Sequence, residues 1–290
     1  MDPMEHLIWT GAPPQLRDPI MVCAFRGWND AAGSATSALT TLADSLPVEQ
    51  IATIDPEQFF DFQANRPTIQ VVDGTYREIE WPDTEVYVAT PESAPRDLVL
   101  VIGTEPNLLW RTYSETLLKV AEELDVVTVA VVGALIAEVA HTLPVPVTGL
   151  ASDPEMVTRL ELERANYEGP TGIVGVIHEL CRRRDIPSVS LWAAIPHYVA
   201  AVPNPKAALA LTALLEQVTG VAADTSGLEQ EAIDYDEQID RAVAADSDVE
   251  ELVTRIEEQQ RSRVEASLDV PSGDAIAREF QRFLRRRDAD

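Results

Sequence analysis

Tyr167 to Leu180 reads YEGPTGIVGVIHEL, with glycines at 169, 172 and 175 just ahead of a helical apolar pattern. Free N–H groups at a helix start attract anions, so a Gly-rich turn in this position is one way to build a phosphate cradle. The chemistry is only half present. A P-loop needs a lysine after its last glycine, and a dinucleotide fold needs GxGxxG after a strand, with an acid closing the next strand. Here the spacing is GxxGxxG, no lysine follows, and the next strand ends at Ile195-Pro196-His197. Pro170 suits a first helical turn. Gly172 and Gly175 share a helix face, which permits close backbone approach. The glycines therefore read first as packing residues, with an anion at the helix start as the alternative.

Three other polar stretches follow apolar runs: RGWND (26–30), GTEPN (103–107) and IPHY (195–198). In open α/β sheets, ligands bind outside the carboxyl ends of the strands. Parallel strands would bring these stretches, with Gly133-Ala134, to a common rim. A crevice there draws on Trp28, Asn29 and Asp30 from the first stretch and on Gly103 and Glu105 from the second. The Gly-rich turn adds Tyr167, Gly169, Thr171 and Gly172, and the last stretch adds His197 and Tyr198. As an enzyme, Asp30 or Glu105 would be the general base and His197 the general acid, with turn amides holding an anion. In the packing alternative, Asn29 and Asp30 cap a helix, Trp28 covers the sheet, and His197 ends a strand. No GxSxG elbow supports Ser34 or Ser37 as nucleophile, and His178-Glu179 lacks the second histidine of HExxH. No metal site and no cofactor are expected.

Buried strands must position these loops. Ile20–Phe25, Leu98–Ile102, Val126–Val132 and Ser188–Ala194 are continuous apolar runs, as in strands covered on both faces. Helical patterns separate them: Ala35, Ala38, Leu39 and Leu42; Tyr113, Leu117, Val120 and Leu124; Ala208, Leu211, Leu215 and Val218. Asn204-Pro205 opens the last of these and Gly220 closes it. Between Ile51 and Thr90 the pattern is richer in strands, with a hairpin expected at Asp73-Gly74. The fold class is α/β, a three-layer α/β/α arrangement around a mainly parallel sheet. The α/β domain spans 1–220 and an acidic helical appendage spans 221–290. The appendage carries apolar stripes at Leu228–Val243, Val249–Ile256 and Ile276–Leu284.

Acids outnumber bases 49 to 22, for a formal charge of −27. Such a field repels phosphate backbones and anionic lipid, so nucleic acid and membrane surfaces are not expected partners. The longest apolar run, Val126–Ala140, is too short to span a bilayer and contains Glu138. Cys23 and Cys181 read as buried free thiols, and the acidic start lacks a signal-peptide core, so the expected location is the cytoplasm.

FRGWNDAAGSAT (25–36), PVPVTGLASDPE (144–155), YEGPTGIVGVIHEL (167–180) and IPSVSLWAAIPHYVAAVPNPKAALAL (186–211) together resemble the PAC2 family of proteasome assembly chaperone 2-like proteins. LDVPSGDAIAREFQRFLRRR (268–287) is similar to a C-terminal segment of its bacterial branch. The resemblance implies a phosphorylase/hydrolase-like α/β/α domain, related in shape to purine nucleoside phosphorylases, that tends to form homo-oligomers. It also implies protein partners: eukaryotic relatives bind proteasome α subunits, and archaeal relatives bind proteasomes through a hydrophobic-Tyr-X tail. This sequence ends RRRDAD, so docking of that kind is not expected. The resulting expectation is a chaperone-like binding or assembly factor without demonstrated catalysis. The alternative is an enzyme or sensor for a nucleoside- or phosphate-type small molecule, using the strand-end crevice.

Overall fold

The structure, a computed structural model, describes residues 3–160, 162–164 and 167–268. The apolar stripe expected at Ile276–Leu284 lies outside them. The chain forms two compact units, Met1–Asp240 and Arg241–Asp290.

In chain order the strands of the first unit are β1 (Leu7–Trp9), β2 (Ile20–Arg26), β3 (Val48–Ile54), β4 (Thr68–Val72), β5 (Tyr76–Glu80) and β6 (Thr84–Ala89). They continue with β7 (Leu98–Thr104), β8 (Thr128–Ala137), β9 (Val147–Ala151), β10 (Glu163–Arg164) and β11 (Ser188–Pro196). The helices are α1 (Ser34–Asp44), α2 (Trp110–Glu123), α3 (Pro154–Arg159), α4 (Ile173–Arg183), α5 (Pro205–Thr219) and α6 (Ser226–Ala244), whose last residues enter the second unit. Helix α7 (Ser247–Leu268) belongs to the second unit.

Nine strands form one sheet in the order β1-β3-β6-β7-β2-β8-β11-β9-β10. Its centre, β7-β2-β8-β11, is parallel. Both flanks are joined on antiparallel, through β6 on β7 and β9 on β11. Among the described residues strands β4 and β5 pair only with each other, as the hairpin expected at Asp73-Gly74, with φ of 49° and 66° there.

The continuous apolar runs are explained by burial on both faces of the sheet. In β2, Ile20, Val22 and Ala24 enter one core with Ala35, Leu39 and Leu42 of α1 and Ala208 and Leu211 of α5. Met21, Cys23 and Phe25 enter a second core with Tyr113 and Leu117 of α2 and Ile173, Ile177 and Cys181 of α4. The architecture is therefore three layers, α/β/α. Asn204 caps α5 by accepting from Ala207 N at 3.0 Å, and Gly220 ends it at φ 73°. Leu228 of α6 joins the α1/α5 core, so the start of the expected appendage packs on its own chain.

Two local readings need correction. Strand β8 runs past Gly133-Ala134 to Ala137, because its nine-residue ladder with β11 continues to that point. Pro170 lies ahead of α4 rather than in its first turn, since Gly172 is the N-cap.

Candidate functional site

The carboxyl ends of the parallel strands carry the polar stretches singled out above. Glu105 follows β7, and its Oε1 accepts from Ile173 N, the first amide of α4, at 2.8 Å. The same oxygen accepts from Asn29 Nδ2 at 2.5 Å. Asn29, in the loop after β2, is fully buried. Gly172 makes this meeting possible: a Cβ there would lie 2.1 Å from Asn29 Oδ1 and 2.6 Å from its Cγ. The turn that looked like a phosphate cradle is thus filled from within. A carboxylate already sits on the positive end of α4, where an anion would otherwise bind. Asn29 Oδ1 is buried and has no hydrogen-bond partner among the described residues.

The glycines at 169, 175 and 103 are also explained by what fills the space beside them. Tyr167 is exposed and its hydroxyl donates to Pro170 O at 3.0 Å, lying where a Cβ on Gly169 would go. Thr171 Oγ1 occupies the equivalent position at Gly175. A side chain at Gly103 would meet Thr84 Oγ1 at 2.6 Å, the hydroxyl that bonds to buried Tyr113.

Asp30 turns the other way, towards α1. Its Oδ1 accepts from Ala35 N at 2.7 Å and Thr36 N at 3.2 Å, and its Oδ2 accepts from Thr36 Oγ1 at 2.5 Å. Ala32 adopts left-handed backbone (φ 55°), followed by Gly33 (φ 65°), so α1 begins at Ser34. The Asp30 carboxylate reaches over this short turn to cap the helix from outside it. Burial raises the Asp30 pKa above its ordinary value, against the opposing pull of the Thr36 and Ala35 donors. Trp28 is 62% exposed and forms no lid over the sheet core.

His197 is exposed and meets Tyr198 edge to face at 5.5 Å. Tyr198 enters a second polar cluster that the sequence did not announce. His141 N donates to Tyr198 Oη at 2.8 Å, and His141 Nδ1 lies 2.7 Å from the same oxygen. His141 Nε2 lies 3.0 Å from Asp240 Oδ1. Lys206 Nζ donates to His141 O at 2.5 Å and to Asp236 Oδ1 at 2.9 Å. A Tyr–His–Asp chain can move a proton. The adjoining cavity, however, is only about 10 Å³, too small for a substrate. The cluster instead ties the β8–β9 loop, the turn after β11, α5 and α6 together. His141 stands 57 positions from Tyr198 and 99 from Asp240, without motif spacing, so no local signal could have found it.

Structure therefore brings Asn29, Glu105 and Gly172 into one contact and sends Asp30 to α1 and Tyr198 to His141. Among the described residues no group of three His, Cys, Asp or Glu side chains is arranged to hold a metal, and no helix is long and apolar enough to cross a membrane.

The profile of the PAC2 family matches residues 24–243. A PAC2 family protein from Streptomyces avermitilis is 46% identical, with a TM-score of 0.75, over 81% of this chain and 100% of its own. A proteasome-assembly chaperone homologue from Mycobacterium tuberculosis is 42% identical, with a TM-score of 0.74, over 81% and 99%. An archaeal proteasome activator from Pyrococcus furiosus, 16% identical with a TM-score of 0.65 over 81% and 97%, shares the fold. No curated protein sequence matches the chain. With its profile match over most of the α/β body and two solved relatives above 40% identity, this chain belongs to the PAC2 family.

Proposed function

We propose that this protein is a chaperone-like binding factor that holds protein partners, works without catalysis, and acts in the cytoplasm as a homo-oligomer. One observation carries the reading from the site: Glu105 occupies the first amide of α4, so the most anion-ready position at the strand-end rim is satisfied by the protein itself. Family membership supports it, since a 42% identical relative is described as a proteasome-assembly chaperone homologue. The competing reading, a small-molecule enzyme or sensor, draws on the unpartnered Asn29 Oδ1 beside that amide.

Native mass spectrometry of the full chain with proteasome α and β subunits from the same organism tests the first reading. A stoichiometric complex with a subunit or an assembly intermediate is expected. The reading fails if no such complex forms and pull-down from native lysate recovers no stoichiometric partner. A thermal-shift panel of nucleosides, phosphates and sugars tests the rival. A true ligand at a hundredfold excess over its Kd adds about 2.7 kcal/mol, and a flat panel removes the enzyme.

A further inference from the structure

The β4–β5 hairpin and the β1–β3 flank of the sheet border a groove of about 510 Å³, within the ordinary range for binding clefts. Its apolar lining is exposed: Ile8 is 54% exposed, Ile79 50% and Trp81 44%, with Trp81 also packed edge to face on Phe62 at 4.8 Å. Strand β1 is the outermost strand of the large sheet, and the hairpin pairs with no other strand among the described residues. Asp55 N donates to His6 O and Thr10 N to Ile51 O, so the even-numbered residues around β1 bond to β3. The amides of Leu7 and Trp9 then face the free edge. A two-stranded hairpin is marginal alone in water, and exposed apolar residues beside free edges mark a surface for pairing with another chain.

Charge selects the occupant. Asp55, Glu78, Glu80 and Asp83 line the groove, and among the described residues no lysine or arginine does. Burial is the main reason the Asp83 carboxyl stands above its ordinary pKa; Glu85 and Glu80 add to the rise and Arg26 opposes it. A second copy of a chain with a formal charge of −27 would bring acids to acids, so this face is ill suited to self-association. Along β5 and just beyond it, Glu78, Ile79, Glu80 and Trp81 alternate in type with the two-residue period of an extended strand.

We propose that this groove docks an extended segment of a different protein in which Lys or Arg alternates with apolar residues. The assignment rests on the protein-binding reading above and gives the partner's chemistry and its seat on the fold.

Fluorescence anisotropy with a labelled peptide of alternating Arg and Val tests it, using the full chain. A peptide of the same composition in two blocks and an alternating Glu-Val peptide serve as comparisons. The alternating Arg-Val peptide should bind most tightly, and Glu78→Lys with Glu80→Lys should weaken it at least about tenfold, or about 1.4 kcal/mol. The same charge reversal at Glu250 and Glu251 should leave binding within about twofold of that value. Trp81→Ala should weaken it while the reversed-charge peptide stays unbound. Equal losses from both charge reversals would show attraction to bulk charge and overturn the groove. So would a dimer, seen by sedimentation, that Glu78→Lys with Glu80→Lys abolishes, because the occupant would then be a second copy. If the charge-reversed chain still captures proteasome subunits while peptide binding is unaffected by it, the groove falls and the protein-binding reading stands.

Discussion

Replacing Glu105 with Ala removes the acceptor for both Ile173 N and Asn29 Nδ2. Hydrogen bonds to a charged group contribute about 1.5–3 kcal/mol each. Glu105 is half-buried, so water can serve the vacated end of α4 and recover part of one bond. Asn29 is fully buried, so its amide loses a partner outright. The expected loss is about 2–4 kcal/mol, which for a unit of this size lowers Tm by about 5–15 °C. Glu105→Gln keeps a neutral acceptor but loses the favourable charge at the helix start, and should cost about 1 kcal/mol. Urea unfolding followed by circular dichroism measures both, with the slope m as a check that the unfolded state is unchanged. The Ala variant carries a second signature: with the carboxylate gone, added phosphate should stabilise it more than it stabilises the wild type. A loss below about 0.5 kcal/mol at constant m would refute the account of Glu105 as the plug of the α4 turn.

Gly172→Ala places a methyl group 2.1 Å from Asn29 Oδ1 and should cost about 1–3 kcal/mol; adding Asn29→Ala should recover at least about 1 kcal/mol of it, whereas additive losses would remove the proposed contact. Burial holds the His178 pKa below its ordinary 6.5, and Nε2 has no partner among the described residues. The unfolded chain takes up this proton first, so the contribution to stability is complete above pH 6.5 and is lost as pH falls below it towards the lowered folded value. His178→Gln should therefore gain on wild type in urea midpoint as pH drops below that point, and a pH-independent difference would contradict the burial argument. Burial raises both thiols, Cys181 to about 11, so Ellman's reagent should label neither cysteine quickly until urea is added; rapid labelling of the native chain would count against the core assignment.

The central strands were legible because burial on both faces leaves continuous apolar runs, as in Ile20–Phe25 and Leu98–Ile102. The edges were not. Leu7–Trp9 is three residues long, and Val147–Ala151 lies in a segment interrupted by Pro146 and Gly149, so neither shows a strand period. Asp30 caps α1 as expected, but α1 starts only at Ser34, because Ala32 takes a left-handed turn that its residue type disfavours. At the rim, sequence could point to Asn29, Glu105 and Gly172 because each follows a strand or precedes a helix. It could not say that Glu105 faces α4 or that Asp30 faces α1. Those directions follow from strand order and from which sheet face each side chain leaves. His141 shows the same limit: its partners are set by the packing of α5 and α6, at separations that carry no local pattern.

The acceptor for the first amide of α4 comes from a residue 68 positions earlier, at the end of a strand in the middle of the sheet. No capping side chain at Gly172 can do that work locally, so α4 gains a finished start only after β7 is in place. Contacts this distant in sequence form late when the chain collapses, because closing the intervening loop must come first. Kinetically, then, Glu105 acts as a clasp rather than a seed: its loss should leave the refolding rate almost untouched and appear as faster escape from the native state.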